Sequence, residues 1–226
     1  MWKFRIWSII MSNMEYEVLT NGEDKITEKK SVFIGAVASV HSEEEALEFV
    51  AKKKKEHYDA RHNCFAYIIG DNDELVRSSD DGEPSGTAGR PMLDVMQGHH
   101  LHNVVVVVTR YFGGVLLGTG GLVRAYTQAT EVGINACELM ERHKGYPFDI
   151  KVDYTLLGKI QYLLNERKIF VEDTVYDADV TIKCYVPESE ADALEKELVD
   201  QTGGKALLKK ENLCAYGIAD GKLYLF

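Results

Sequence analysis

The chain has 226 residues, 45% of them apolar and 27% charged, a balance that suits one or two packed domains and excludes a disordered or low-complexity chain. Its formal net charge of -10 excludes a protein coated uniformly in positive charge for duplex DNA, while leaving room for a local basic patch. Four dispersed cysteines (Cys64, Cys137, Cys184 and Cys214) without a C-x-x-C pair argue against a zinc ribbon or a disulfide framework and predict reduced thiols in a cytoplasmic protein.

Residues 1–14 begin with an aromatic, apolar stretch, Met1 to Ile10, that is interrupted by Arg5 and has no small-residue cleavage site. They are expected to be a loosely attached upstream extension rather than a signal peptide. No apolar run reaches the roughly 18–20 residues of a membrane helix, so no membrane partner is expected. Strands are predicted at Tyr16 to Leu19, after Asn21-Gly22 through Ile26, and over Val32 to Val40. The capping box Ser42-Glu43-Glu44-Glu45 opens a helix with Ala46, Leu47 and Val50 inward, and Lys52 to Lys55 reads as its solvated end. His62 to Ile69 and Leu75 to Ser79 predict a hairpin around Gly70 to Asp73. Pro91 is placed to begin a short helix through Gln97, and the valines of Asn103 to Phe112 predict a strand buried on both faces. A long helix follows, with Leu122, Tyr126, Ala129, Gly133, Ala136 and Met140 on one stripe.

A boundary is predicted near Gly145-Tyr146-Pro147, dividing residues 15–144 from 145–226. The second part reads as strand (Phe148 to Tyr154), helix (Thr155 to Lys168), two strands (Ile169 to Tyr176 and Asp179 to Val186), a helix opened by Pro187 and a last strand within Ala206 to Gly217. That order is the ferredoxin-like βαββαβ arrangement, and the fold class predicted for the whole chain is α+β.

Chemistry concentrates between Asp80 and Tyr126. Gly113, Gly114, Gly118, Gly120 and Gly121 lie between a strand and a helix, where free backbone amides and the helix dipole attract an anion, and Arg110 and Arg124 flank them. From Gly86 to Thr127 the charges are Arg90, Arg110 and Arg124 against Asp94 alone. Gly113-x4-Gly118 has Walker A spacing but Thr119-Gly120 where Lys-Ser/Thr is required, and Val123 replaces the third glycine of a dinucleotide fingerprint. No nucleotide cofactor is therefore predicted. The preceding turn carries Asp80, Asp81, Glu83, Ser85, Thr87 and Arg90 as a secondary polar loop; Ser85 lacks a nucleophile-elbow context. His62-Asn63-Cys64 and His99-His100-x-His102 carry nucleophile and ligand types without the spacing of a known site, so no metal is predicted.

Three segments carry a resemblance: Ala60-Arg61-His62-Asn63-Cys64-Phe65-Ala66-Tyr67, then Asp80 through Gly89, and Thr109-Arg110-Tyr111-Phe112-Gly113-Gly114 continuing through Tyr126. In combination and order they resemble the Impact/YigZ family, over about residues 15–140 and, in its two-domain bacterial form, beyond. The resemblance implies an N-terminal domain similar to domain 2 of ribosomal protein S5 and a small C-terminal domain similar to α+β domains of elongation factors. It also implies a link to translation, since eukaryotic relatives compete for an activator of a starvation-responsive initiation-factor kinase. The leading expectation is a non-enzymatic translation-linked factor binding RNA or a ribosomal component through Arg110, Arg124 and the Gly113–Gly121 amides. A second reading is a hydrolase or transferase acting on a small phosphorylated or carboxylate substrate with Arg61, His62, Asp81 and Glu83; a third is a protein-interaction module with a protein partner.

Overall fold

Five consecutive valines, Val104 to Val108, occupy the middle of the first sheet, and their β-branched side chains alternate between two apolar cores. The computed structural model describes residues 14–226 apart from Asp71, so the predicted extension and the centre of the predicted Gly70 to Asp73 turn lie largely outside the described residues. The chain is α+β and divides into two units, 1–141 and 142–226; the division falls within the strand β7 (Glu138–Val152).

In the first unit, after β1 (Glu15–Thr20), a five-stranded antiparallel sheet runs β2 (Gly22–Glu28), β3 (Ser31–Ser39), β6 (Val104–Tyr111), β4 (His62–Ile69), β5 (Leu75–Ser79). Helix α1 (Glu43–Glu56) buries Ala46 and Val50 against Val105 and Val107 on one face. Ser42 caps it as the sequence predicts, its Oγ accepting from Glu45 N at 3.2 Å. On the other face, α2 (Gly89–Gly98) and α3 (Thr119–Asn135) cover Val104, Val106 and Val108 with Met92, Met96, Leu122 and Tyr126. Helix α3 crosses β3 where two glycines meet: a Cβ on Gly35 would stand 2.1 Å from Ala129 O. That approach seats the whole helix and so sets where its N-terminus lies.

Lys52 and Lys55 are exposed as expected, but the middle of the lysine run is not. Lys53 is buried and paired with Glu23 and Glu56, and Lys54 Nζ lies 2.7 Å from Asp81 Oδ1. Burial lowers the Lys53 pKa, but the two carboxylates outweigh it and leave it raised. A buried ammonium requires such pairing, and one of its partners, Glu23, comes from distant sequence.

The second unit contains β7 from Arg142 onward, α4 (Tyr154–Glu166), β8 (Phe170–Tyr176), β9 (Val180–Pro187), α5 (Glu188–Thr202) and β10 (Leu207–Lys210). Its antiparallel order β10-β7-β9-β8 is the ferredoxin-like one. In place of the single last strand expected over Ala206 to Gly217 there are three: β10 is followed by β11 (Cys214–Ala219) and β12 (Lys222–Leu225). The Asp220-Gly221 turn, with φ of 50° and 71°, the paired positive values of a type I′ hairpin, joins β11 to β12. β11 pairs with β7 at Arg142 to Gly145, beyond the stretch taken by β10.

Candidate functional site

The acidic turn folds around its own carboxylates. Asp80 Oδ2 accepts from Gly86 N at 2.8 Å, and its Oδ1 accepts from Ala88 N and Gly89 N, both at 2.9 Å. It thereby caps α2, whose own N-cap residue, Ala88, has no side chain to do so. Burial pushes the Asp80 carboxyl up, but the three amides overcome that and hold it below the ordinary carboxylate range. Asp81 is engaged as well, its Oδ1 with Lys54 and its Oδ2 accepting from Asn63 N at 2.7 Å. Thr87 is buried and donates to Pro84 O at 2.6 Å, whereas Ser85 is exposed and Arg90 pairs with Asp94 at 2.7 Å on the surface of α2. The structure gives this loop a full internal account of its polar side chains except Ser85.

Glu83 reaches inward. Its Oε1 accepts from Arg110 Nη1 at 2.5 Å and from Tyr126 OH at 2.9 Å, and Tyr126 in turn accepts from Cys64 Sγ at 3.3 Å. Arg110 is 6% exposed, with its guanidinium 5.3 Å from the Phe33 ring and 5.6 Å from that of Phe112. Arg110 is therefore a wall residue whose charge meets Glu83 first, yet its Nε is buried with no hydrogen-bond partner among the described residues. Burial pushes the Cys64 thiol up to about 12, so it is inert at neutral pH and the His62-Asn63-Cys64 run supplies no nucleophilic thiol. Burial, then Cys64 and Glu83, raise Tyr126 too, which keeps it a neutral donor.

These groups back a cavity of about 430 Å³. Arg61, His62, Glu83 and Arg110 form its polar side; Phe112, Leu116, Leu117 and Leu122 form an apolar one; Gly118 and Thr119 bring in the N-terminus of α3. His62 sits opposite Arg110 in the β4–β6 register, and its Nδ1 lies 2.9 Å from Asp81 O. The start of α3 has no side-chain cap and no acidic residue in its first turn. Its amides are thus open to an anion at the positive end of the helix dipole. Arg124 is exposed beside this turn, its Nη1 3.9 Å from where a Cβ on Gly120 would stand.

The five glycines do not share one role. Gly113 packs where a Cβ would come within 2.0 Å of the Lys30 backbone, a purely structural demand. Gly114 and Gly118 adopt φ of 82° and 69°, while Gly120 and Gly121 are helical with no backbone atom against them. The apolar wall was not anticipated from the sequence. Its signal was present: Phe112, Val115 and Leu116 are exposed, and a loop that spends apolar residues on its surface presents them to something. The histidines near the end of α2 go elsewhere, His99 Nε2 to Glu131 at 2.7 Å and His102 Nδ1 to within 2.8 Å of Asp73. Among the described residues no three His, Cys, Asp or Glu side chains are grouped to hold a metal ion. No described helix is long and apolar enough to cross a membrane.

Comparison with known proteins supplies the wider setting. Residues 29–134 match the Impact N-terminal domain, and residues 150–205 match a domain of unknown function, DUF1949. The IMPACT family member YvyE of Bacillus subtilis is 42% identical over 90% of this chain and 94% of its own length. The IMPACT family member YigZ of Escherichia coli is 35% identical over 80% of this chain and 89% of its own. Protein IMPACT of Rattus norvegicus is 38% identical over 41% of this chain and 30% of its own length. A crystal structure described as that of a hypothetical protein covers 86% of this chain and 96% of its own at 32% identity, with a TM-score of 0.55.

Proposed function

Because the chain belongs to the IMPACT family, we propose that it is a translation-linked factor that binds single-stranded RNA through the cavity beside the N-terminus of α3. The observation that carries this reading is the union, in one cavity of a protein of net charge -10, of an uncapped helix start with an aromatic and aliphatic wall. A nucleotide has both halves: a phosphate for the amides, Arg61 and Arg124, and a base for Phe112 and the leucines. The translation setting implied by the family resemblance supports RNA over other anions that carry a flat apolar group. The residues of a hydrolytic alternative are less well disposed, since Asp81 and Glu83 are bound to Lys54, Asn63, Arg110 and Tyr126.

Fluorescence anisotropy with a short labelled single-stranded RNA, titrated at rising salt, tests the proposal. Binding is expected at low salt and to weaken steeply as salt increases; Arg61→Ala with Arg124→Ala weakens it and lowers the log–log salt slope by about 2. Absence of binding at low salt, or a double variant indistinguishable from the parent, refutes it.

A further inference from the structure

We infer that His62 makes this cavity selective for ribose over deoxyribose, by accepting a hydrogen bond from a 2′-hydroxyl through Nε2. The inference rests on the RNA reading and deepens it. A carbonyl oxygen only accepts, so the 2.9 Å contact between His62 Nδ1 and Asp81 O places the ring proton on Nδ1. In the neutral imidazole Nε2 is then an acceptor. Asp81 is itself held by Lys54, Asn63 N and Ser79 Oγ, so the carbonyl that orients the ring is fixed.

Nε2 has no hydrogen-bond partner among the described residues, and the ring lines the cavity. Around it the site is rich in donors: Arg61, Arg110 with its buried unpartnered Nε, and the amides at the start of α3. A phosphodiester or a carboxylate alone satisfies those donors but offers His62 no hydrogen at neutral pH. A ribonucleotide offers both, its phosphate to the donors and its 2′-hydroxyl to the acceptor, and the cavity is of a size that admits one small ligand. DNA lacks that hydroxyl.

The test compares one single-stranded sequence in three forms, RNA, DNA and 2′-O-methyl RNA, against the full chain and its His62→Phe and His62→Gln variants. The parent is expected to bind RNA about tenfold more tightly than either of the other two. His62→Phe brings the three affinities together with the salt slope unchanged, and His62→Gln, which keeps an acceptor, restores part of the preference. The 2′-O-methyl arm uses the unaltered protein, so it stands even if a His62 variant folds poorly. Equal, salt-dependent binding of all three forms by the parent overturns the ribose inference while leaving RNA binding intact; equal losses on RNA and DNA in His62→Phe overturn it in favour of base contact; no binding of any form at low salt overturns the RNA reading itself.

Discussion

The two glycine-rich loops of the first unit look alike in sequence and are opposites in structure. The loop from Asp80 to Gly89 turns its acidic side chains inward, so that Asp80, Asp81 and Glu83 satisfy backbone amides, Lys54, Arg110 and Tyr126. The loop from Gly113 to Gly121 is anchored at one end, where Gly113 N donates to Ser31 Oγ at 3.1 Å, and at the other opens onto a helix start that no side chain caps among the described residues. Buried carboxylates need donors, and a loop that supplies its own is a brace; a loop that leaves donors outward is a place for a ligand. Abundance of polar residues is thus a poor guide to the site, and lack of internal partners a better one.

If that contrast is right, damage to the first loop reads out as stability. Glu83→Ala leaves the Arg110 guanidinium buried without its carboxylate, and chemical denaturation is expected to show a loss of about 3–5 kcal/mol. A loss below about 1 kcal/mol would show that Arg110 finds solvent and that the wall is looser than its burial implies. Asp80→Asn removes the charge from the three-amide cradle and is expected to cost about 1–3 kcal/mol at neutral pH. Since the folded pKa of Asp80 is depressed, its stabilisation is fully present above the ordinary carboxylate pKa and is lost as pH falls through the depressed value. The gap between parent and variant should accordingly close in acid; a gap constant with pH would assign the effect to shape instead of charge.

A pair of alanine substitutions sharpens the comparison at smaller scale. Gly86 has open space around it but a φ of 75°, so Gly86→Ala is expected to destabilise by roughly 1–2 kcal/mol. Gly120 is helical and has no backbone atom against it, so Gly120→Ala is expected to stabilise by about 0.4–1 kcal/mol while weakening RNA binding at the helix start. Thermal melts and anisotropy on both variants check the sign of each. The smallest effect belongs to Arg124→Ala, an exposed position where stability should stay within about 0.5 kcal/mol and only the salt-dependent affinity should fall.

Much of the scaffold was legible because local physics decides it. The Val104 to Val108 run demanded cover on both faces, Ser42 with Glu45 announced a helix start, and the alternation of elements after Gly145 marked a ferredoxin-like unit. The candidate site was legible as a region and not as a set of roles. Arg110 reads as a free cation until β6 is registered against β4 and the acidic turn delivers Glu83 to it, a long-range event with no local signature. His62 likewise becomes an oriented acceptor only through the Asp81 carbonyl, 19 residues on. Pro91 fell third in its helix instead of first, since Asp80 caps α2 two residues earlier and an N–H is dispensable at either position. The C-terminal hairpin was a missed local signal, Asp220-Gly221 between apolar alternations.

Strand β6 is paired along both edges and covered on both faces. Its amides should therefore be among the last in the first unit to exchange with deuterated solvent, opening only when that unit unfolds as a whole. Arg110 stands near the end of this strand, so one wall of the cavity belongs to the slowest-moving part of the fold. Adaptation to differently shaped guests then falls to residues 112–118, on the nanosecond-to-microsecond scale of loops, while the side bearing Arg110 keeps the same form for all of them.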